Sequence, residues 1–486
     1  MEGLMKQQRL RFRVVALLLI GLLVLAGGYG ILSVSRYGNR WVNSTRNARF
    51  REAKSGVRRG DILDRNGVLI ATTDESGNRV YQSNTLARSA LVHVLGDTEG
   101  NVANGVDSFQ ASYLLGMKAG LEERILSLLS GGERKGDTLT LTIDSALSTE
   151  IVRRFMQNEN TKGLCGAVVV MNYQTGEVLA LVSLPVYDPI NITDPIKNST
   201  QHPFWNRAVQ STLPPGSTFK IVTAVCALEN IPEVTSREFT CTGATQVGDQ
   251  LIRDYNLEKH DTLSLQRAFR VSCNNVFSQI ALTVGDSALR TTAENFGFGD
   301  HFLFRDIVVE DSVYPTTDRT DLQVAWSGFG QSRVVATPLH MCMVAAAIAN
   351  DGVMMEPRLL SGVKGSSGVE RLSFTPKVYR RSCSAEDAKT LQIFMKDVVK
   401  QGTGTRAAVK GYTVAGKTGS AESSSEGRDV THAWFVGYIE EKTAPYAICV
   451  LVEEGGSGGG VAAPVAGEIL QWLTQNEKAP AAAEAE

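Results

Sequence analysis

Hydrophobic and polar positions alternate along this chain in several rhythms, and one stretch has no polar rhythm at all. Val14 to Val34 runs for 21 residues without a charge. A helix of that length just spans a bilayer core of roughly 30 Å, and it exceeds the roughly 7–15 apolar residues of a cleavable signal peptide. The pattern predicts a transmembrane anchor over 14–34 behind an N-terminal segment at 1–13. A cleaved leader is the alternative, because Ala26-Gly27-Gly28 form a small-residue patch. Lys6, Arg9, Arg11 and Arg13 precede the segment, while Arg36, Arg40, Arg46, Arg49 and Arg51 follow it. The positive-inside rule therefore does not set the orientation, although a large C-terminal region can translocate despite such charges.

Beyond the anchor the periods shorten. Residues 36–60 are basic and polar and read as a linker. Arg59 to Ala71 predicts two short strands about the Asn66-Gly67 turn. Leu139 to Thr142 alternates as a strand, and a helix follows from Ser145. Gly166–Met171 and Glu177–Val182 flank Gln174-Thr175-Gly176 and predict a hairpin. Phe219–Leu228 is an apolar helix opened by Pro214-Pro215-Gly216. Leu339–Ala349 is another, closed by Asn350-Asp351-Gly352. Strands return at His432–Ile439 and Tyr446–Val452, and Val465–Leu473 reads as a last helix. Residues 477–486 are Ala/Glu/Pro-rich and read as a loose tail. This order predicts an α/β (α+β) layered domain with an antiparallel sheet, its first and last strands adjacent.

Composition narrows the chemistry. In 486 residues, 49 basic side chains oppose 51 acidic ones, which gives no electrostatic footprint for nucleic acid. The seven cysteines include no C-x-x-C pair, and six scattered histidines include no H-E-x-x-H. Motif patterns thus offer neither a disulfide framework nor a metal site.

Three motif candidates compete. Gly411 to Thr418 fits the phosphate-binding string G-x-x-x-x-G-K-[ST], but the residues after Thr418 are too Gly/Ser-rich for the helix that such a loop requires. Gly455 to Gly459 fits G-x-S-x-G, yet no His or Asp follows Ser457, so no triad can be completed downstream. The third candidate is a set: Ser217-Thr218-Phe219-Lys220, Ser272-Cys273-Asn274 and Lys417-Thr418-Gly419. Ser217 opens the apolar helix, and a spacing of three puts Lys220 on its face. A serine hydroxyl needs a base to become a nucleophile, and a lysine serves only when neutral. Burial and the charge of Lys417 would depress the pKa of Lys220. Ser272 and Asn274 would relay protons or hold a substrate amide. Lys417, Thr418 and Ser420 would bind an extended peptide and its carboxylate along a strand edge, with Gly419 leaving room for close approach. Cys273, inside the motif, reads as small core packing.

S-x-x-K, S-x-N and K-T-G together resemble a class B penicillin-binding protein, a peptidoglycan D,D-transpeptidase of bacterial cell-wall synthesis. Arg59–Gly67, Gly166–Pro189, Asn206-Arg207-Ala208, Gly330-Gln331-Ser332, Gly402-Thr403-Gly404 and Trp434–Gly437 fit the same family. The resemblance implies an anchor at 14–34, a pedestal or dimerisation-like module at 36–150 and a penicillin-binding domain at 155–475 outside the cytoplasm. It implies that Ser217 is acylated, that Lys220 is the base, and that Ser272 and Asn274 assist proton transfer. Lys417, Thr418, Gly419 and Ser420 would bind the carboxylate of D-Ala-D-Ala or of a β-lactam, and the amides of Ser217 and Ser420 would form the oxyanion hole. Ser420 departs from the usual Thr. The implied partners are peptidoglycan stem peptides, β-lactam antibiotics, the membrane and a SEDS-type membrane glycosyltransferase; no cofactor or metal is implied. The rival readings are a β-lactamase or β-lactam sensor on the same core, which lacks a deacylating E-x-x-L-N string here, and a catalytically inactive scaffold.

Overall fold

The computed structural model describes residues 13–30, 57–102, 104–118, 120, 135–254, 258–302, 304–316, 319–425 and 428–476. Helix α1 (Arg13–Gly30) is long and apolar enough to cross a membrane, and none of its residues is buried against the rest of the chain. The expected tail at 477–486, most of the linker at 36–60, and residues 1–12 and 31–34 of the N-terminal expectations lie outside the described residues.

The body is organised by two sheets. Strands β1 (Ile62–Leu63), β2 (Leu69–Thr73), β3 (Arg79–Tyr81) and β4 (Thr138–Leu141) belong to the first. The expected turn is present: Gly67 takes φ 77°, a left-handed conformation that costs glycine nothing. Helix α2 (Ser145–Gln157) follows, capped by Asp144, and then the hairpin β5 (Gly166–Asn172) and β6 (Val178–Leu184). A 3₁₀ turn at Gly216–Phe219 leads into α3 (Lys220–Asn230). Four short strands, β7 (Glu238–Cys241), β8 (Ala244–Val247), β9 (Gln250–Arg253) and β10 (Asp261–Ser264), precede α4 (Leu265–Val271) and α5 (Asn274–Asn295). The buried helix α6 (Pro338–Ala349) is next. Strands β11 (Leu360–Lys364) and β12 (Glu370–Ser373) then return to the first sheet, where β11 pairs with β4 across more than 200 residues of sequence.

The second sheet carries the site. Helix α7 (Ala385–Gln401) precedes β13 (Val414–Ser425), β14 (Arg428–Ile439) and β15 (Tyr446–Val452), and α8 (Ala463–Asn476) ends the described chain. Its strand order is β13-β14-β15-β5-β6, antiparallel throughout. The first and last strands are neighbours as the sequence predicts, with Val169 opposite Cys449. Strand β5 is apolar at consecutive positions because both of its faces are covered. Val169 and Met171 join the core containing α3 and α6, while Val168 and Val170 join the core containing α2 and α8. The result is a helix–sheet–helix layering with β13 left as an edge strand.

Candidate active site

The three motifs converge on the β13 edge. Ser217 sits in the 3₁₀ turn and Lys220 is the first residue of α3, so the S-x-x-K pair spans the junction of the two rather than one α-helical face. The turn is pinned at both ends. The Thr218 hydroxyl donates to Pro215 O at 2.7 Å, and Gly216 N donates to Gly330 O at 3.0 Å. Gly419 packs against it so closely that a Cβ there would lie 2.9 Å from Pro215 O. The space reserved at Gly419 thus serves the fit of the strand to the serine turn.

Lys220 and Lys417 are both fully buried. Lys220 Nζ donates to Ser272 O at 2.6 Å, to Asn274 Oδ1 at 2.8 Å and to Ser272 Oγ at 3.2 Å. Lys417 Nζ donates to the same Ser272 Oγ at 2.8 Å and to Thr418 O at 3.0 Å. Phe277 and Phe329 lie 5.3 and 5.9 Å from the Lys220 ammonium, and Phe269 lies 5.6 Å from that of Lys417. Among the described residues no carboxylate forms a salt bridge with either lysine. Burial pulls the Lys220 pKa down from 10.5 to about 8, against the opposing pull of Cys273 and Asp254. Lys417 is held well below the ordinary lysine value, by burial first and by the charge of Lys220 second. The two lysine charges disfavour each other, and burial acts on both in the same direction.

Ser272 closes α4 at φ 61°, ψ 39°, a left-handed conformation unfavourable for a non-glycine residue. That conformation turns its hydroxyl and its carbonyl toward the same ammonium. Asn274 opens α5, its N–H donating to Asp254 Oδ1, while Asn275 N donates to the same oxygen at 3.2 Å. Sequence reading missed Asp254, which ties down the S-x-N turn; no motif string marks it.

Asp254 also collects two thiols. Cys241 and Cys273 Sγ lie 3.1 and 3.2 Å from Asp254 Oδ2, and His260 Nδ1 lies 3.4 Å from Cys241 Sγ. All four donor atoms fall within 4.8 Å of one another. Two sulfurs, an imidazole and a carboxylate are a donor set able to hold Zn²⁺ tetrahedrally, and four protein ligands would leave no open position, the mark of a structural rather than a catalytic ion. Such an ion would brace the S-x-N turn. Cys273 does more than fill space: its sulfur also accepts from Val276 N at 3.3 Å and caps α5.

On the strand side, Thr418 Oγ1 lies 2.6 Å from Thr403 Oγ1, and Ser420 Oγ accepts from Gly458 N at 3.1 Å. The G-x-S-x-G loop therefore supports the K-T-G strand, with Ser457 capping Gly460. With its amide turned to match, Gln331 donates to Glu422 O at 3.1 Å and accepts from Glu422 N at 2.9 Å, which occupies the edge two residues past Ser420. The open edge lies beside Lys417–Ser420, where an extended peptide could add as a strand. The G-x-x-x-x-G-K-T string runs into this strand at Val414 and opens no helix, which excludes a phosphate-binding loop.

Residues 166–471 match the penicillin binding protein transpeptidase domain family. The chain is 32% identical over 366 residues to the peptidoglycan D,D-transpeptidase PbpA of Mycolicibacterium smegmatis, covering 70% of this chain and 73% of that protein. Against PbpA of Mycobacterium tuberculosis it is 30% identical over 377 residues, covering 73% and 76%. The ceftriaxone acyl-enzyme structure of penicillin-binding protein A from M. tuberculosis superposes with a TM-score of 0.78 at 27% identity, covering 86% of this chain and 98% of that one. A D,D-transpeptidase domain from Eggerthella lenta gives 0.74 at 28% identity, covering 86% and 99%.

Proposed function

The chain belongs to the penicillin-binding protein transpeptidase family, and on that premise we propose that it is a peptidoglycan D,D-transpeptidase acting through a Ser217 acyl-enzyme. The observation that carries the residue roles is the pair of buried lysines sharing one serine hydroxyl. Lys220, with its pKa brought to about 8, is partly neutral at physiological pH and takes the proton of Ser217 as Oγ attacks the penultimate D-Ala carbonyl. The amides of Ser217 and Ser420 receive the oxyanion. Ser272 Oγ accepts from both lysine amines, so its own O–H is free to donate; it passes that proton to the departing D-Ala amine while Lys220 hands it the proton taken from Ser217, which leaves Lys220 neutral again. Lys417, Thr418 and Ser420 hold the terminal carboxylate along the β13 edge. An amine from a second stem peptide then takes the acyl group and completes the cross-link. A β-lactam enters the same path and stops at the acyl-enzyme.

Labelling with a fluorescent penicillin tests this. Wild type labels and Ser217→Ala does not; a mutant that still labels would defeat the assignment of the nucleophile. Helix α1 supports a single-pass anchor within 14–34, with the transpeptidase region at 155–475 outside the cytoplasm. The 36–150 module and the anchor are the docking surfaces for a SEDS-type glycosyltransferase. Unchanged capture of that enzyme after deletion of 14–150 would overturn the docking assignment.

A further inference from the structure

A cavity of about 680 Å³ lies where the first region meets the transpeptidase region, apart from the cleft at Ser217. Asn101 and Asn104 line one side; Trp205, Gln210 and Ser211 line the other. Outside the cavity lining, the segments that carry its two sides are tied together: Arg88 pairs with Asp188 at 2.7 Å, and Thr98 N donates to Pro189 O at 3.2 Å. Trp205 is 45% exposed although the neighbouring rings of Tyr187 and Phe204 pack edge to face at 5.1 Å. Its indole N–H donates to Ser211 Oγ at 3.1 Å, which fixes the ring while leaving much of its surface open. A large apolar ring held in place and left in water is an anchor for a ligand with an apolar face.

We propose that this cavity is a glycan subsite that seats the N-acetylated amino-sugar strand of the substrate, with a sugar ring stacked on Trp205. The inference rests on the transpeptidase reading above. Charge favours a neutral ligand, because the lysine and the arginine that line the cavity are already paired, Lys197 with Glu99 at 2.9 Å and Arg207 with Glu453 at 3.0 Å. Amides at Asn101, Asn104 and Gln210 match the hydroxyl and acetamido groups of such sugars. Reach agrees too. Ser211 precedes Ser217 by six residues, a span of at most about 20 Å, and an extended five-residue stem spans about 17 Å. A sugar in the cavity could therefore present the end of its own stem peptide to Ser217.

The test uses the full chain in detergent micelles, titrated with glycan strands stripped enzymatically of their peptides. Wild type binds saturably. Trp205→Ala weakens binding at least tenfold, Trp205→Phe keeps it within about threefold, and all three proteins label equally with fluorescent penicillin. Equal binding by Trp205→Ala, or no saturable binding by wild type, overturns the subsite. A Trp205-dependent protein partner with unchanged glycan binding reassigns the cavity to protein docking and also overturns it. Penicillin labelling reads Ser217 alone, so a protein that fails to label rejects the transpeptidase reading, whereas lost glycan binding with intact labelling rejects only this inference.

Discussion

The two walls of the cleft are built in different ways. On the strand wall, Lys417 to Ser420 lie inside a 12-residue strand paired position for position with β14. Their placement is set by a backbone ladder that no single side chain controls. On the helical wall, Ser272 and Asn274 sit at a break between α4 and α5, with Ser272 left-handed and the turn hung from one carboxylate. On the proposed mechanism the strand wall positions a carboxylate by register, while the helical wall handles protons by a few side chains in a strained place. Substitutions on the helical wall should therefore cost chemistry, and conservative ones on the strand wall should cost little.

The largest expected effect is at Lys220. Lys220→Met removes the proposed base and should lower the rate of acylation by a β-lactam by about 10³-fold. The wild-type rate should climb with pH through about 8, because burial disfavours the charged amine and its neutral fraction rises there. In the variant that limb should vanish; stopped-flow acylation between pH 6 and 10 reads both. The linkage has the matching sign. The unfolded lysine keeps its proton up to 10.5 while the folded one releases it near 8, so this group adds stability as pH rises between those values. A wild-type profile flat across pH 8 would break the assignment of Lys220 as base.

Next comes the anchor of the S-x-N turn. Asp254→Ala frees the N–H groups of Asn274 and Asn275 and removes the oxygen that faces both thiols. A displacement of about 1 Å at the turn should slow acylation about a hundredfold. The pre-covalent affinity for the β-lactam should fall far less, because the backbone ladder that places the strand wall is unchanged even though Lys417 loses some of its contact with Ser272. Asp254→Asn keeps an acceptor for the amides and should fall between. Parallel losses in affinity and rate would show that the walls are not independent.

Much of this layout was legible in the sequence. The hairpin at β5 and β6 and helices α3 and α6 are dense apolar runs punctuated by Gly and Pro, and local pattern suffices for them. The S-x-x-K, S-x-N and K-T-G residues are legible as motifs whose side-chain chemistry fits acyl transfer, and the structure brings Lys220, Ser272, Asn274 and Lys417 together. Strand β13 was not legible by period, since Lys417 to Ser425 are polar and small; it is a strand because β14 pairs along its whole length. The return of β11 to β4 is equally silent, because nothing local encodes a pairing so distant in sequence. The grouping of Cys241, Asp254, His260 and Cys273 has irregular spacing, set by the fold of β7 to β10 rather than by one loop. Cys273, which reads as packing, proves to cap a helix and to touch the anchoring carboxylate.

The smallest expected effect is the sharpest test of the strand wall. Ser420 stands where the family usually has Thr, and its hydroxyl accepts from the buried N–H of Gly458 at 3.1 Å. Ser420→Thr keeps that oxygen on a strand whose position the ladder already fixes, so acylation should stay within about twofold. Ser420→Ala leaves the Gly458 N–H without its acceptor, at a cost of about 1 kcal/mol, and also removes the proposed carboxylate contact, so acylation should fall at least about fivefold. If the threonine variant fell as far as the alanine one, the added methyl rather than the hydroxyl would control this site. Placement on β13 would then depend on side-chain fit, and the contrast between the two walls would collapse.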